Sequence, residues 1–327
     1  MAVTTDAAPV ERAPRRSLSG LLGRESGIII GFLILCAVFA WLNPAFMRVD
    51  NLLDIALQSS ITAVLAIGMT LVIITAGIDL SVGSVLALSA YLTADLMARG
   101  VAIPLAILAG LACGLLAGAL NGILITKGQL PPFIVTLGTM SLLRGVVLIY
   151  SQGAPVYGVP PEFKALIAGR FLGVPVPVMI AAVIAILAWL TLQYTPFGQQ
   201  VIAIGGNEEA ARLSGINVQR RLISVYMISG LLAGVGAMIL TARLGAAEPI
   251  SGTGYELNAI AAAVMGGASL AGGQGSILGT VVGALIMGSL QNGLTLNNVP
   301  AFYQQVAVGA VIIVAVFVDQ WRRRKAS

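Results

Sequence analysis

The chain has no histidine and very little charge. Only 9% of its 327 residues are charged, whereas 58% are hydrophobic. A soluble domain carries about 25% charged residues. Polar surface this scarce cannot cover a water-soluble globule, and a chain in lipid must satisfy its backbone polar groups internally. The sequence therefore predicts an all-α, polytopic membrane protein.

The absences also exclude most chemistry. Without histidine there is no histidine-based catalysis, no histidine zinc site and no histidine proton relay. Cys36 and Cys113 both fall in apolar runs and are interpreted as packing residues, so we predict neither a metal site nor a cofactor. No phosphate-binding loop of the G-x-x-x-x-G-K-[ST] type occurs, so this chain is not expected to bind ATP through that motif or to be an enzyme. The net charge of +5 resides in short loops and chain ends, which gives no reason to predict nucleic-acid binding.

Apolar segments predict about ten transmembrane helices, some of them short or broken. They lie at 28–42, 55–76, 81–98, 103–126, 133–150, 176–194, 222–241, 256–271, 276–292 and 303–319. Crossing a hydrocarbon core needs about 20 residues. The segments 81–98 and 256–271 are therefore the least certain, and either is expected to be re-entrant or broken if it does not cross.

The distribution of basic residues predicts the orientation. With the N-terminus inside, twelve of the eighteen Lys and Arg residues fall on the inner side and five on the outer side. This bias follows the positive-inside rule and makes both termini cytoplasmic. The predicted organisation is a disordered cytoplasmic tail over residues 1–25, one transmembrane domain over 26–320, and a basic cytoplasmic tail over 321–327. The same scheme places the polar loop 195–221 in the cytoplasm.

That loop contains the signals of a short helix. Asn207 is suited to an N-cap, and Glu208 and Glu209 follow at the positive end of the helix dipole. Arg212 is four residues after Glu208, the favourable spacing and order for an ion pair, and Gly215 suits a left-handed helix stop. Two turns are too few for an isolated helix. The segment is therefore either an ordinary connection held by its own domain or a docking site for a partner protein.

The densest polar signal among the apolar segments is GMTLVIITAGIDLSVGS, residues 68–84. Asp79 in this stretch either caps a helix near the inner face, supported by Ser81, or contacts a transported ligand directly. Gly77 and Gly83 allow a helix break here. The remaining candidates for the pathway or for helix breaks are Asn121, Arg144 and Asn292, and Arg144 is expected to pair with an acid or to snorkel.

Glycines recur at intervals of four, which predicts close helix packing. They form three groups: Gly110, Gly114 and Gly118; Gly230 and Gly234; and Gly275, Gly279 and Gly283. The sequence at 77–88 is also weakly similar to that at 271–285, which hints at an internal repeat. On the outer side, prolines interrupt residues 151–175, and Pro161 is placed to start a short helix.

Four stretches together resemble a known family. They are GMTLVIITAGIDLSVGSVLALS, LNGILITKGQLPPFIVTLGTMSLLRG, AIGGNEEAARLSGINV and VMGGASLAGGQGSILGTVVGALIMGSLQNGL. They are similar to the ribose/xylose/arabinose-type permeases of bacterial sugar ABC importers, and the likeness covers about residues 45–320. The resemblance implies a permease in the bacterial inner membrane that moves a monosaccharide by alternating access.

The same resemblance implies partners and contact residues. The expected partners are a cytoplasmic ATP-binding subunit, a periplasmic sugar-binding protein, a second copy of the chain and the lipid bilayer. NEEAARLSG is similar to the coupling helix of importer permeases. Carried over to this chain, the matching positions are Glu208, Glu209, Ala210, Ala211 and Gly215. With the cap Asn207 and the ion-pair partner Arg212 of the same short helix, they form the predicted ATPase-coupling set.

Two other classes of transporter are weighed against this reading. An ion-coupled secondary transporter would need an ion-binding group at the midplane, for which Asp79 is the only good candidate. An ABC permease for a nucleoside or a branched-chain amino acid is the nearer alternative. A zwitterionic amino acid would be expected to need paired charges along its path, and these are scarce in the sequence.

Overall fold

The computed structural model describes residues 18–324, and the side chains of residues 26–317. The predicted N-terminal tail therefore lies outside the described residues up to residue 17, and a helix begins at Leu18. The predicted basic tail begins within the last helix, and residues 325–327 lie outside the described part.

The described chain is almost entirely helical. Its helices are α1 (Leu18–Leu42), α2 (Val49–Ile74), α3 (Val82–Ala98), α4 (Ile103–Thr126), α5 (Pro132–Ser151), α6 (Pro161–Ala168), α7 (Val176–Tyr194), α8 (Pro196–Gly206), α9 (Glu208–Leu213), α10 (Val218–Leu244), α11 (Tyr255–Met265), α12 (Ile277–Leu296) and α13 (Ala301–Arg324). One turn of 3-10 helix, Pro44–Met47, joins α1 to α2.

Six of the described helices are long and apolar enough to cross a membrane: α2, α4, α5, α7, α10 and α12. Helices α3 and α11 are apolar but shorter. The 11 residues of α11 rise about 16 Å, roughly half of a hydrocarbon core of about 30 Å. The predicted segment 256–271 is thus helical only as far as Met265, which agrees with its expected break.

Helix α2 lies at the centre of the bundle. In its most apolar stretch 89% of the residues are buried, against 17% in α7. Its neighbours include α10, α11 and α12. A helix that is apolar all round is expected at such a central position, because it has no face turned to water. Helix α7 is the least buried of the six, and its side chains are mostly exposed or half-buried.

The predicted glycine packing is confirmed between α4 and α10. A Cβ atom at Gly114 would collide with the carbonyl oxygen of Gly230, and one at Gly118 would collide with that of Tyr226. Backbones this close gain dispersion contacts that larger side chains would prevent. In the third group, Gly279 and Gly283 of α12 pack in the same way against α11.

The segment between α5 and α7 carries small β-pairs around α6. Strand β1 (Val156–Tyr157) pairs antiparallel with β4 (Ala246–Ala247), and β2 (Arg170–Phe171) pairs with β3 (Val174–Pro175). The short helix predicted to start at Pro161 is confirmed as α6, with Pro160 as its N-cap. Phe163 anchors α6 by its fully buried ring.

Replacing Gly114 with alanine tests the packing of α4 on α10. The added methyl group would force the two helices apart, and overpacking of this kind costs ~1–3 kcal/mol. We expect Gly114→Ala to unfold at a clearly lower temperature than the unaltered protein in the same lipid nanodiscs, measured by intrinsic fluorescence. Gly31→Ala is the matched control, because a methyl group at Gly31 meets no atom within 4 Å. Equal unfolding temperatures for the two variants would contradict the packing described here.

Candidate functional site

Asp79 lies in the loop between α2 and α3 and is the centre of a buried polar network. Its side chain is 1% exposed. One carboxylate oxygen accepts hydrogen bonds from the Ser81 backbone N–H, at 3.0 Å, and from the Ser81 hydroxyl, at 2.6 Å. The other oxygen accepts from the Ser229 hydroxyl of α10 at 2.9 Å. The carboxylate therefore holds its own loop to a helix 150 residues away.

Two further helices fix the same loop. From α4, the Asn121 side-chain amide donates to the Ser81 hydroxyl oxygen at 2.8 Å. From α5, the Thr136 hydroxyl donates to the Ile78 carbonyl oxygen at 3.0 Å. The broken segment between α2 and α3 is thus attached by polar side chains of α4, α5 and α10. Buried polar groups are expected to be paired in this way, because an unpaired one is costly in an apolar surrounding.

The structure corrects the predicted capping role of Asp79. The N-cap of α3 is Ser81, and Asp79 acts two residues earlier by accepting the Ser81 N–H. The loop contacts Tyr226 and Ser229, which lie eight and eleven residues into α10, or roughly 12 to 17 Å along its axis. It therefore lies well inside the helix bundle.

Of the predicted pathway and helix-break residues, Asp79, Ser81, Gly77 and Asn121 come together. A Cβ atom at Gly77 would lie 2.5 Å from the Tyr226 hydroxyl oxygen, so glycine is needed there for the tyrosine to fit. Tyr226 is itself 1% exposed, and its hydroxyl has no hydrogen-bond partner among the described residues. Tyr226 therefore packs beside the network on the α10 side without a hydrogen bond to it.

The other three predicted residues lie elsewhere. Gly83 packs against the Gly252 carbonyl oxygen. Arg144 donates to the carbonyl oxygens of Pro249, at 2.8 Å, and Ser251, at 2.9 Å, and no carboxylate lies within ion-pair distance of it in the described part of the chain. Its partners are therefore backbone carbonyls, where an acid had been one of the two expectations.

Asn292 belongs to a separate contact between helix ends. Its side-chain amide donates to the Asn51 side-chain oxygen, at 2.9 Å, and so joins α12 to the start of α2. This contact leaves Asn292 outside the Asp79 network, and the structure gives it no place in a common site with that loop.

The loop 195–221 forms α8 and α9, and its predicted local structure is confirmed. The Asn207 side chain caps α9 by accepting from the Ala210 N–H at 2.9 Å. Glu208 and Arg212 form an ion pair of 2.7 Å, and Gly215 has the left-handed φ of +83°. Glycine takes this conformation without the steric cost that a Cβ atom brings.

One face of α9 is held by the protein and the other is free. Ala211, 4% exposed, packs in a small apolar cluster with Ile204 of α8 and Val218 of α10. On the opposite side Glu208, Glu209 and Arg212 are exposed, and Leu213 is 84% exposed. The outward face of α9 therefore carries three charged side chains and one leucine that no other part of the described chain covers.

A cavity of ≈530 Å³ is lined by residues of both predicted sites, Glu208 and Arg212 of α9 and Gly77 and Tyr226 beside Asp79. Its other lining residues are Thr75, Ala76, Ile125, Thr126, Gln129, Leu130, Pro131, Pro132, Val218, Gln219 and Leu222. The two predicted sites therefore border one cavity, which the sequence did not indicate.

Sequence reasoning missed Tyr226, Ser229 and Thr136. Each is one of several polar residues scattered along a long apolar helix, where an unremarkable packing position is the usual interpretation. The periodicity of α10 did not distinguish Ser229, because its partner Asp79 is 150 residues away. The only available signal was that a buried carboxylate needs donors from neighbouring helices.

Replacing Asp79 tests whether the network holds the loop. Asp79→Ala would leave two buried hydroxyls and one backbone N–H without their acceptor, and a buried unsatisfied group costs ~1–3 kcal/mol. We expect a larger drop in unfolding temperature than for Ser229→Ala, which leaves both hydrogen bonds from Ser81 in place. The exposed carboxylate of Asp54 supplies the control variant Asp54→Ala. Unchanged stability of Asp79→Ala in lipid nanodiscs would show that other contacts fix the loop.

Comparison with known proteins places these features in a family. Residues 51–316 match the family described as "Branched-chain amino acid transport system / permease component". The chain is 48% identical to the ribose import permease protein RbsC of Escherichia coli K12 over 299 residues, which cover 90% of this chain and 93% of that protein. It is 47% identical to RbsC of Bacillus subtilis, again with 91% and 93% covered.

A third relative is named for a different sugar. The D-allose transport system permease protein AlsC of Escherichia coli K12 is 42% identical over 289 residues, with 88% of this chain and 89% of that protein covered. No solved structure matches the chain. These likenesses extend over nearly the whole chain, and six of the described helices are long and apolar enough to cross a membrane. The chain therefore belongs to the sugar permeases of bacterial ABC importers, which are multi-pass proteins of the inner membrane.

Proposed function

We propose that this chain is the translocation subunit of an ATP-driven importer that carries a monosaccharide of the pentose or hexose class into the cell. The observation that carries the proposal is α9. It is a six-residue helix, fixed to the permease by Ala211, that presents Glu208, Glu209 and Arg212 outward. Such a helix is too short to be stable by itself, and its exposed face is suited to a groove in an ATP-binding subunit.

The proposed substrate is a neutral sugar. Relatives at 42–48% identity are named as ribose and D-allose permeases. The family description names branched-chain amino acids, but a zwitterion would need charged partners along its path. Among the described residues the ion pairs are Asp95–Arg99 and Glu208–Arg212, both with partly or largely exposed side chains. The buried polar groups are instead mostly hydroxyls and amides, which suit a polyol.

The proposed assembly has three further components. A separate cytoplasmic subunit hydrolyses ATP, a periplasmic protein delivers the sugar, and a second copy of this chain completes the channel. In the proposed topology, the chain has about ten membrane segments and both termini are cytoplasmic. On that topology α9 lies on the cytoplasmic side, where the ATP-binding subunit is. Transport proceeds by alternating access without covalent chemistry in this chain.

The environment of Asp79 argues against an ion-coupled carrier. Both of its carboxylate oxygens already accept hydrogen bonds, from Ser81 and Ser229. An ion site at the midplane needs oxygen ligands that are free to coordinate, and transporters usually provide several. Asp79 is better suited to holding the break between α2 and α3.

Reversing the charges of Glu208 and Glu209 tests the docking face. Like charges across an interface cost several kcal/mol, and each 1.4 kcal/mol is about tenfold in affinity. We expect Glu208→Lys with Glu209→Lys to weaken co-purification of the ATP-binding subunit by at least about tenfold, without loss of membrane insertion. Glu162→Lys, an exposed acid in the first turn of α6, is the control and should leave that association unchanged. Full association of the double variant would refute the assignment of α9.

The substrate class is tested in lipid nanodiscs that hold the permease and its ATP-binding subunit. The binding protein of the same transport system is added after loading with ribose, allose, arabinose, galactose or leucine. We expect one of the aldoses to stimulate ATP hydrolysis, because a neutral path suits a neutral polyol. Stimulation by leucine alone would replace the sugar by an amino acid and contradict this part of the proposal.

A further inference from the structure

Three separate segments of the chain meet through their backbones next to α9. The Gly273 N–H, in the loop between α11 and α12, donates to the Ile74 carbonyl oxygen at 2.8 Å. Ile74 is the last residue of α2, immediately before the break that contains Asp79. Gly205, near the end of α8, lies against both of them. A Cβ atom on Gly205 would collide with the Ile74 carbonyl oxygen and would lie 2.5 Å from the Gly273 nitrogen.

The close contact between α8 and the loop before α12 is seen from both segments and is confined to a few residues. A Cβ atom on Gly272 would lie 2.5 Å from the Gly205 carbonyl oxygen and 3.0 Å from the Ala76 Cβ atom. By contrast, a Cβ atom on Gly206, the next residue, would meet no atom within 4 Å. The Gly206 backbone also lies beside Gly273, but of the two adjacent glycines only Gly205 has no room for a side chain.

The two helix breaks at this junction are the segment 75–81, between α2 and α3, and the segment 266–276, between α11 and α12. They are also joined to each other. The hydroxyl groups of Thr70 in α2 and Thr280 in α12 form a hydrogen bond of 2.7 Å, about one helical turn away from the junction. The end of α2 and the start of α12 are thus joined at Ile74–Gly273 and again at Thr70–Thr280. A displacement applied to either segment at this level would have to move the other.

We propose that Gly205 is a positioning residue that passes the displacement of α9 to both helix breaks. The proposal rests on the proposed function of α9 as the element that the ATP-binding subunit moves. Close-packed interiors transmit such shifts because they have no space to absorb them. With the backbones of α8, α2 and the 266–276 loop in contact, a shift of α9 reaches the loop that Asp79 holds. Side-chain flexibility cannot absorb the shift, because no side chain lies between these backbones at Gly205.

The test compares Gly205→Ala with Gly206→Ala in the complete complex of permease, ATP-binding subunit and sugar-loaded binding protein in nanodiscs or liposomes. Association of the ATP-binding subunit, sugar-stimulated ATP hydrolysis and sugar uptake are measured for each variant. We expect Gly205→Ala to keep the association and to lose about tenfold in uptake and in stimulation, a size typical of coupling mutations. Gly206→Ala should stay within about twofold of the unaltered complex in all three measurements.

The outcomes separate this inference from the proposed function. Wild-type uptake by Gly205→Ala, or an equal loss in both variants, would overturn the role of Gly205. Failure of the unaltered permease to associate with any ATP-binding subunit would instead overturn the function assigned to α9. A merely structural role for Gly205 would lower stability and association together, whereas the positioning role leaves association intact.

A second measurement uses the unaltered complex and so does not depend on the folding of a variant. Hydrogen exchange is compared between the nucleotide-free complex and the complex trapped with ADP and vanadate. We expect peptides covering 203–215, 72–81 and 266–276 to change protection together, because the Gly273 amide is part of the junction. A change confined to 203–215 would show that the displacement stops at α9 and would overturn the proposal.

Discussion

The need to satisfy backbone polar groups inside a membrane domain governs the centre of this structure. Helix α2 ends at Ile74 and α3 begins at Val82, so the intervening backbone has no continuous helix to pair it. Unsatisfied groups in an apolar surrounding cost several kcal/mol each, and irregular backbone at depth is tolerated only where protein covers it. Here Gly273 donates to the Ile74 carbonyl, Thr136 donates to the Ile78 carbonyl, and Asp79 accepts the Ser81 N–H.

That requirement explains why α4 and α10 approach so closely. The polar side chains that hold the loop are short, so their helices must come near it. Gly118 and Gly122 of α4 allow backbone contact with Tyr226 and Ile223 of α10. Asn121 lies between those two glycines, and it reaches the Ser81 hydroxyl because the helices are close. The glycine spacing and the polar network are thus parts of one arrangement.

Local features of the fold could be predicted from the sequence because their causes are local. The cap at Asn207, the ion pair of Glu208 with Arg212 and the turn at Gly215 each depend on residues a few positions apart. The Ser229 contact could not be predicted, since nothing in α10 distinguishes that serine from one that faces lipid. The position of the Asp79 loop inside the bundle could not be predicted for a related reason. A count of hydrophobic segments gives the order of the helices, but it does not say how far a loop reaches back into the bundle.

The position of α9 gives its shortness a physical meaning. A long helix at this point would have its own cooperative stability and could move independently of the membrane domain. Six residues cannot, so α9 depends on Ala211 packing against Ile204 and Val218 for its structure. Those two residues belong to α8 and α10, and α8 carries the contact of Gly205 with Ile74 three residues before α9 begins. A partner that binds the exposed face of α9 therefore acts on a segment whose opposite face is already packed against the permease. On the proposed function, a displacement of α9 reaches the membrane domain at two places, the start of α10 through Val218 and the end of α2 through Gly205.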